Sequence, residues 1–304
     1  MTPAISVAGL TRRYGDELAL DDVTFDIEPG SITGLLGRNG AGKTTLMRIL
    51  AGHEFASGGS MAVLGDCPLE NGPVLRRMVF VREDQHYPDY GRPNLFRVRH
   101  ALQMASWFYP NWDAGLAAAL LDDFNLPAKR AVKGLSRGMR SALGIVIGLA
   151  ARAEVTLFDE PYAGLDAVAR QVFYDRLLDN YAEHPRTVLI STHLIDEAAG
   201  LLERVLVIDR GKLMVDAAAD DLRGSAVRVT GPAIAVAEFT AGQTVWNRRR
   251  IVSQESVVMA GPLDEAARAR AGALHLTLDP LTLQQFVVQA AGPAAAGARE
   301  RTSA

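Results

Sequence analysis

GRNGAGKTT, residues 37–45, is the stretch that decides how this 304-residue chain is read. It follows an apolar run, SITGLL (31–36), with the makeup of a short buried strand. It precedes LMRILAG (46–52), whose apolar residues recur at helical spacing. Strand, glycine-rich loop and helix, in that order, are the setting in which G-x-x-x-x-G-K-[ST] binds phosphate. Gly37, Asn39, Gly40, Ala41 and Gly42 form a loop able to turn its N–H groups inward on one anion. The helix opening near Lys43 adds the positive end of its dipole. Lys43 offers a point charge for the β- and γ-phosphates, and the Thr44 hydroxyl is a hard oxygen ligand suited to Mg²⁺. This loop is a nucleotide site.

The chain can bury a large core, and its length suggests one large unit with a smaller one. A hydrophobic content of 48% with 22% charged residues is ordinary for a globular protein, and a formal charge of −3 gives no support for a nucleic-acid partner. The single cysteine, Cys67, excludes an internal disulfide and a cysteine-based metal cluster. His53, His86, His100, His184 and His275 show no metal-ligand spacing. The first residues, MTPAISVAGLTRRYGD, carry no basic run followed by an apolar one, so no secretion signal is expected. The longest apolar window, LGIVIGLAA (143–151), is far short of the roughly 20 residues that span a bilayer.

Short alternating runs over residues 5–37, broken by YGDE (14–17) and EPG (28–30), predict an antiparallel hairpin feeding the strand before the loop. SGGSMAVLGD (57–66) reads as a turn and a strand, and VLRRMVFVRED (74–84) as a buried strand ending in charge. Over about 90–153 the period changes to helical in LFRVRHALQMASWFY, AGLAAALLDDFNL and MRSALGIVIGLAARA, with Pro110 and Pro127 in the breaks. VTLFD, ARQVFYDRLLDNYAEH, TVLIST, LIDEAAGLLE and RVLVID then alternate strand and helix, which implies a parallel sheet with helical crossovers. This α/β unit is expected to span 1–216. A small α+β module follows over 220–291, with strands in AVRVTG, QTVWNRRRIV and ESVVMAG and helices in DEAARARAGA and PLTLQQFVVQAA. The small, polar stretch at 292–304 reads as a disordered tail.

VTLFDE (155–160) delivers Asp159 and Glu160 at the carboxyl end of an apolar strand, where α/β sheets present ligand groups. Asp159 is placed to join a Mg²⁺ shell, and Glu160 to polarise a water for in-line attack on the γ-phosphate. Alone, such a pair is equally an ordinary solvated strand end; downstream of a phosphate loop the functional reading prevails. In LSRGM (135–139), Ser136 is a good helix N-cap and Gly138 allows close backbone approach. AGLD (163–166) ends in Asp166, and His193 follows TVLIST at another strand end.

GRNGAGKTT, LSRGM, VTLFDEP, AGLD and STH in this order resemble the ATPase subunit of an ABC transporter, over residues 5–216. The resemblance implies a phosphate-loop fold with a parallel-sheet core, an N-terminal antiparallel β subdomain and a helical subdomain. It implies that Tyr14 stacks on adenine and that Lys43, Thr44 and Thr45 bind phosphates and Mg²⁺. It further implies that Ser136 and Gly138 reach the γ-phosphate on a second subunit, with Asp166 shaping the dimer interface. His193 would contact the γ-phosphate and keep Glu160 and water in register. Two positions depart from the family pattern LSGGQ, where Arg137 and Met139 replace its third and fifth residues. Its glutamine after the MVFV-type strand, which links Mg²⁺ and water to the membrane partner, aligns with Glu83, or with Gln85 two residues later. These departures, with YPNWD (109–113) and STHLIDEAAGL, resemble a bacterial branch serving ABC-2-type exporters.

The function this implies is ATP hydrolysis by a pair of ATPase subunits, closed head to tail around two ATP, driving a separate membrane subunit from the inner face of the cell membrane. A soluble ABC ATPase acting on nucleic acid or ribosomes, or as a regulatory module, is the alternative. Its best local support is WNRRRI (246–251), which reads as a solvated strand in an acidic chain.

Overall fold

A computed structural model describes residues 2–82 and 96–290. β1 (Ile5–Tyr14) and β2 (Glu17–Ile27) form the antiparallel hairpin expected at the front, and β4 (Gly58–Val63) pairs with the other edge of β1. Between them β3 (Ile32–Leu36) leads into α1 (Lys43–Leu50). α2 (Gly72–Leu75) and β5 (Met78–Arg82) come next. The three helices expected in the middle are α3 (Val98–Phe108), α4 (Ala114–Asp123) and α5 (Arg137–Ala150). Strand and helix then alternate through β6 (Val155–Asp159), α6 (Ala167–Glu183), β7 (Thr187–Thr192), α7 (Ile195–Ala198) and β8 (Arg204–Asp209).

The central sheet has the order β5-β6-β7-β3-β8-β9, parallel except for its last pair, in which β9 (Lys212–Ala218) runs antiparallel to β8. Successive strand residues face opposite sides. Val188 and Ile190 of β7 therefore join the cluster under α5 and α6, while Leu189 joins the cluster that holds α1 and the front sheet. Both faces are covered, which is why these strands are continuous apolar runs. α4, α5 and α6 open on side-chain caps: Asp113, Ser136 and Asp166 accept from Leu116 N, Met139 N and Ala169 N at 2.8, 3.2 and 2.8 Å.

α7 covers four residues, where the sequence suggests a longer helix over 194–203. Leu201 and Leu202 leave it to bury in the core, and Leu202 lies over the bare backbone of Gly34.

The C-terminal part holds α8 (Ala219–Leu222), β10 (Ala226–Pro232), α9 (Ala233–Phe239), β11 (Val245–Ile251), β12 (Gln254–Ala260), α10 (Glu265–Ala273), β13 (Thr277–Pro280) and α11 (Leu283–Ala290). Its antiparallel sheet, β11-β12-β10-β13, has a core of its own around Val229, Val236, Phe239 and Val257. α8, α9 and β13 are elements that the sequence reading passes over. α11 leaves this core: Leu283, Phe286 and Val287 pack with Ile195 and Ala198 of α7 in the main cluster. β9 also runs through position 216, the expected end of the first unit. Among the described residues no helix is long and apolar enough to cross a membrane.

Candidate functional site

An open cleft of about 810 Å³ lies over the loop between β3 and α1. Tyr14, Asn39, Gly40, Ala41, Gly42, Lys43, Thr44, Thr45 and Glu160 line it. Gly42 takes a φ of 108°, and a Cβ there would lie 2.6 Å from the Ala19 carbonyl oxygen, so the loop can pass β2 this closely only as glycine. Gly37 sits beneath the cleft, and its carbonyl accepts from Lys43 Nζ at 2.9 Å.

Lys43 is buried, donates also to the Arg38 carbonyl at 3.2 Å, and reaches to 3.9 Å of Glu160 Oε1. Burial pulls its pKa below that of an ordinary lysine, and the negative charges of Glu160 and Asp159 oppose that pull. The ammonium is held inside the loop, where an anionic ligand is its natural counter-charge.

β6 and β7 are neighbours in the sheet, so their carboxyl ends meet beside the loop. Asp159 is buried and accepts from Ser191 Oγ at 2.6 Å on one oxygen. Glu160 lies just past β6 with a φ of 46°, and its N–H donates to Ser191 Oγ at 3.2 Å. This left-handed turn, rather than simple strand alternation, aims the Glu160 carboxylate into the cleft. His193 Nδ1 stands 2.7 Å from Glu160 Oε2. A hydrogen bond to an ionised carboxylate requires the tautomer with its proton on this nitrogen.

Ser136, Gly138 and Asp166 do not line this cleft; they form a second cluster. Gly138, in the first turn of α5, lies so near the AGLD segment that a Cβ would be 2.4 Å from the Gly164 carbonyl oxygen. Ser141 Oγ donates to the Ala163 carbonyl at 2.6 Å. The LSRGM helix and the AGLD loop are therefore packed directly on each other. Glu83 and Gln85 lie outside the described residues.

Several cleft features escape sequence reading. Arg210 and Gly211 form the two-residue turn between β8 and β9 and bring a cation to the cleft. An x-Gly pair between two strand runs, DRGK (209–212), is the signal that could have found it. Tyr14 has one ring face covered by the Arg12 guanidinium at 4.5 Å, and its hydroxyl bonds Glu54. Arg48 also lines the cleft.

A loop whose lysine is held for phosphate, with an Asp-Glu strand end beside it on a parallel sheet, defines a phosphate-loop nucleotide hydrolase. Residues 20–163 match the ABC transporter family. The Nod factor export ATP-binding protein I of Ralstonia nicotianae is 34% identical over 223 residues, covering 69% of this chain and 66% of that protein. The aliphatic sulfonates import ATP-binding protein SsuB 1 of Nocardia farcinica is 35% identical over 215 residues, covering 71% of this chain and 82% of that one. A solved ATP-binding subunit of an ABC transporter superposes with a TM-score of 0.65 at 23% identity, over 73% of this chain and 92% of that chain. A dimeric ATP-binding cassette in a post-hydrolysis state bound to ADP and Pi superposes at 0.59 and 20% identity, over 71% and 98%. These two likenesses show the fold. The chain belongs to the ABC transporter family, as one of its ATP-binding, ATP-hydrolysing subunits.

Proposed function

We propose that two copies of this chain, or this chain and a close relative, close head to tail on two ATP. Each triphosphate lies between one copy's phosphate loop and the other's LSRGM helix. The observation that carries this reading is the division of the site. Lys43 and Glu160 line the cleft and His193 bonds Glu160, while Ser136, Gly138 and Asp166 are gathered elsewhere, where a helix N-terminus packs on the AGLD loop.

Within the pair, Lys43 and the loop amides hold the β- and γ-phosphates. Tyr14 carries adenine on the face that Arg12 leaves open. Glu160 takes the proton of the attacking water as its oxygen bonds the γ-phosphorus and the bond to the ADP oxygen breaks. His193 holds Glu160 in register and contacts the γ-phosphate. Most of the rate comes from positioning and from charge already aimed at the transferring phosphoryl. Loss of the γ-phosphate removes the bridge between the copies, so hydrolysis opens them.

The donors suit Mg²⁺. Among the described residues no group of three or more His, Cys, Asp or Glu gathers into a cage, and Thr44 and Asp159 are hard oxygen ligands. That is the makeup of a site whose shell is completed by phosphate and water. Bound there, Mg²⁺ would neutralise developing phosphate charge, and Glu83 or Gln85 would join its shell.

We further propose that the pair drives a separate membrane subunit of the ABC-2 exporter kind from the inner face of the membrane; relatives named for export and for import are both similar to the chain, and the LSRGM and YPNWD stretches are what support the exporter branch. Residues 1–216 form the nucleotide unit and 220–291 an accessory module; 292–304 lie outside the described residues. The test is Lys43→Ala, which should abolish ATP binding in calorimetry; binding at the parent affinity would refute the assignment of the loop.

A further inference from the structure

The segment that carries His193 joins β7 to α7, and the amides of residues 193 and 194 fall between the two. Both find partners in a relay of two hydroxyls. His193 N donates to Tyr162 Oη at 3.2 Å, and Leu194 N donates to Thr192 Oγ1 at 2.9 Å. The Tyr162 hydroxyl donates in turn to Thr192 Oγ1. A phenol has one proton to give and lone pairs to receive, and here both capacities are used on the segment that carries His193. Tyr162 is buried and lies only two residues beyond Glu160, with its ring edge-on to the His193 imidazole at 5.8 Å.

We infer that Tyr162 is the positioning residue for His193: it fastens the histidine's backbone to the loop that carries Glu160, so that Nδ1 meets the carboxylate. The inference rests on the proposed roles of His193 and Glu160 in hydrolysis. A phenylalanine would fill the same space against the neighbouring Tyr174 ring without burying a hydroxyl, so filling the core does not account for the Tyr162 oxygen. Desolvation pushes its pKa up to about 12, which keeps the donated proton in place. His193 itself is half exposed, and the covalent backbone is the route by which a buried residue can set its direction.

The test is single-turnover ATP hydrolysis with Mg²⁺ by the full chain carrying Tyr162→Phe, with KM and calorimetric ATP affinity measured beside it. Turnover should fall about ten-fold, the rate equivalent of losing the hydrogen bond to the His193 amide, with KM and affinity unchanged. Thr192→Val, which cuts the other half of the relay, should do the same. In a His193→Ala background, Tyr162→Phe should change the residual rate by less than about two-fold, because the group it positions is gone. Parent turnover in both relay variants, or an equal loss with and without His193, would overturn the inference. If His193→Ala itself turns over at the parent rate, the reading of the site beneath it fails first, and the two failures are told apart by that single variant.

Discussion

Replacing Gly138 by alanine tests whether the LSRGM helix is built against its own AGLD loop. In an open helical position the change would help, since glycine costs a helix about 1 kcal/mol relative to alanine. Here the new Cβ would stand 2.4 Å from the Gly164 carbonyl oxygen and 3.1 Å from its carbon. Those are backbone atoms, so no side chain can swing away, and overpacking of this kind costs typically about 1–3 kcal/mol. The two effects oppose: a 2.4 Å approach to backbone falls in the upper part of that range, about 2–3 kcal/mol, and less a gain of about 1 it leaves Gly138→Ala about 1–2 kcal/mol less stable. Gly272, in α10, has nothing within 4 Å of the same added atom, so Gly272→Ala should instead gain about 0.5–1 kcal/mol. Urea denaturation of the parent and both variants reads the two signs together. A Gly138→Ala chain as stable as the parent, alongside a stabilised Gly272→Ala chain, would refute the close approach.

Phe286→Ala should cost about 3–5 kcal/mol, because this side chain is 6% exposed and sits between α7 and Trp246. A parent-like urea midpoint would mean that α11 is not seated on the nucleotide unit. The Arg77–Glu154 pair, bonded twice at 2.6 and 2.8 Å, holds the Glu154 carboxyl below its ordinary value of 4.5, chiefly through the hydrogen bond from Arg77. Because the folded value is the lower one, the pair's contribution is complete above pH 4.5 and is lost as pH falls through the folded value. Both side chains are nearly half exposed, so solvent limits the effect to about 1 kcal/mol or less. The stability difference between parent and Arg77→Ala should be flat from about pH 8 to pH 5 and shrink as pH falls below 4.5; a difference that does not shrink on acidification would contradict the pairing.

What the sequence made legible is what neighbouring residues encode. The phosphate loop, its strand and its helix are contiguous, and Ser136 caps the helix that starts one residue later. The apolar runs of β6, β7 and β8 declare a doubly covered sheet. Contacts between distant segments were not legible. Gly138 is glycine because of Gly164, 26 positions away, and nothing local distinguishes that need from plain capping. The period of α11 says that one face is buried, but not that the face rests on α7 rather than on its own sheet. Tyr162 draws no notice in the sequence, and only its hydroxyl beside the His193 amide marks it. The left-handed turn at Glu160 follows a strand whose alternation gives no hint of it.

In the proposed cycle a triphosphate is held from both sides by a pair whose opening waits on Glu160. Size-exclusion chromatography of the full-length Glu160→Gln chain, with and without ATP and Mg²⁺, measures that directly. An ATP-dependent dimer that persists while the parent returns to monomer is the expected result. A variant that stays monomeric with ATP, or that hydrolyses ATP at the parent rate, would contradict it.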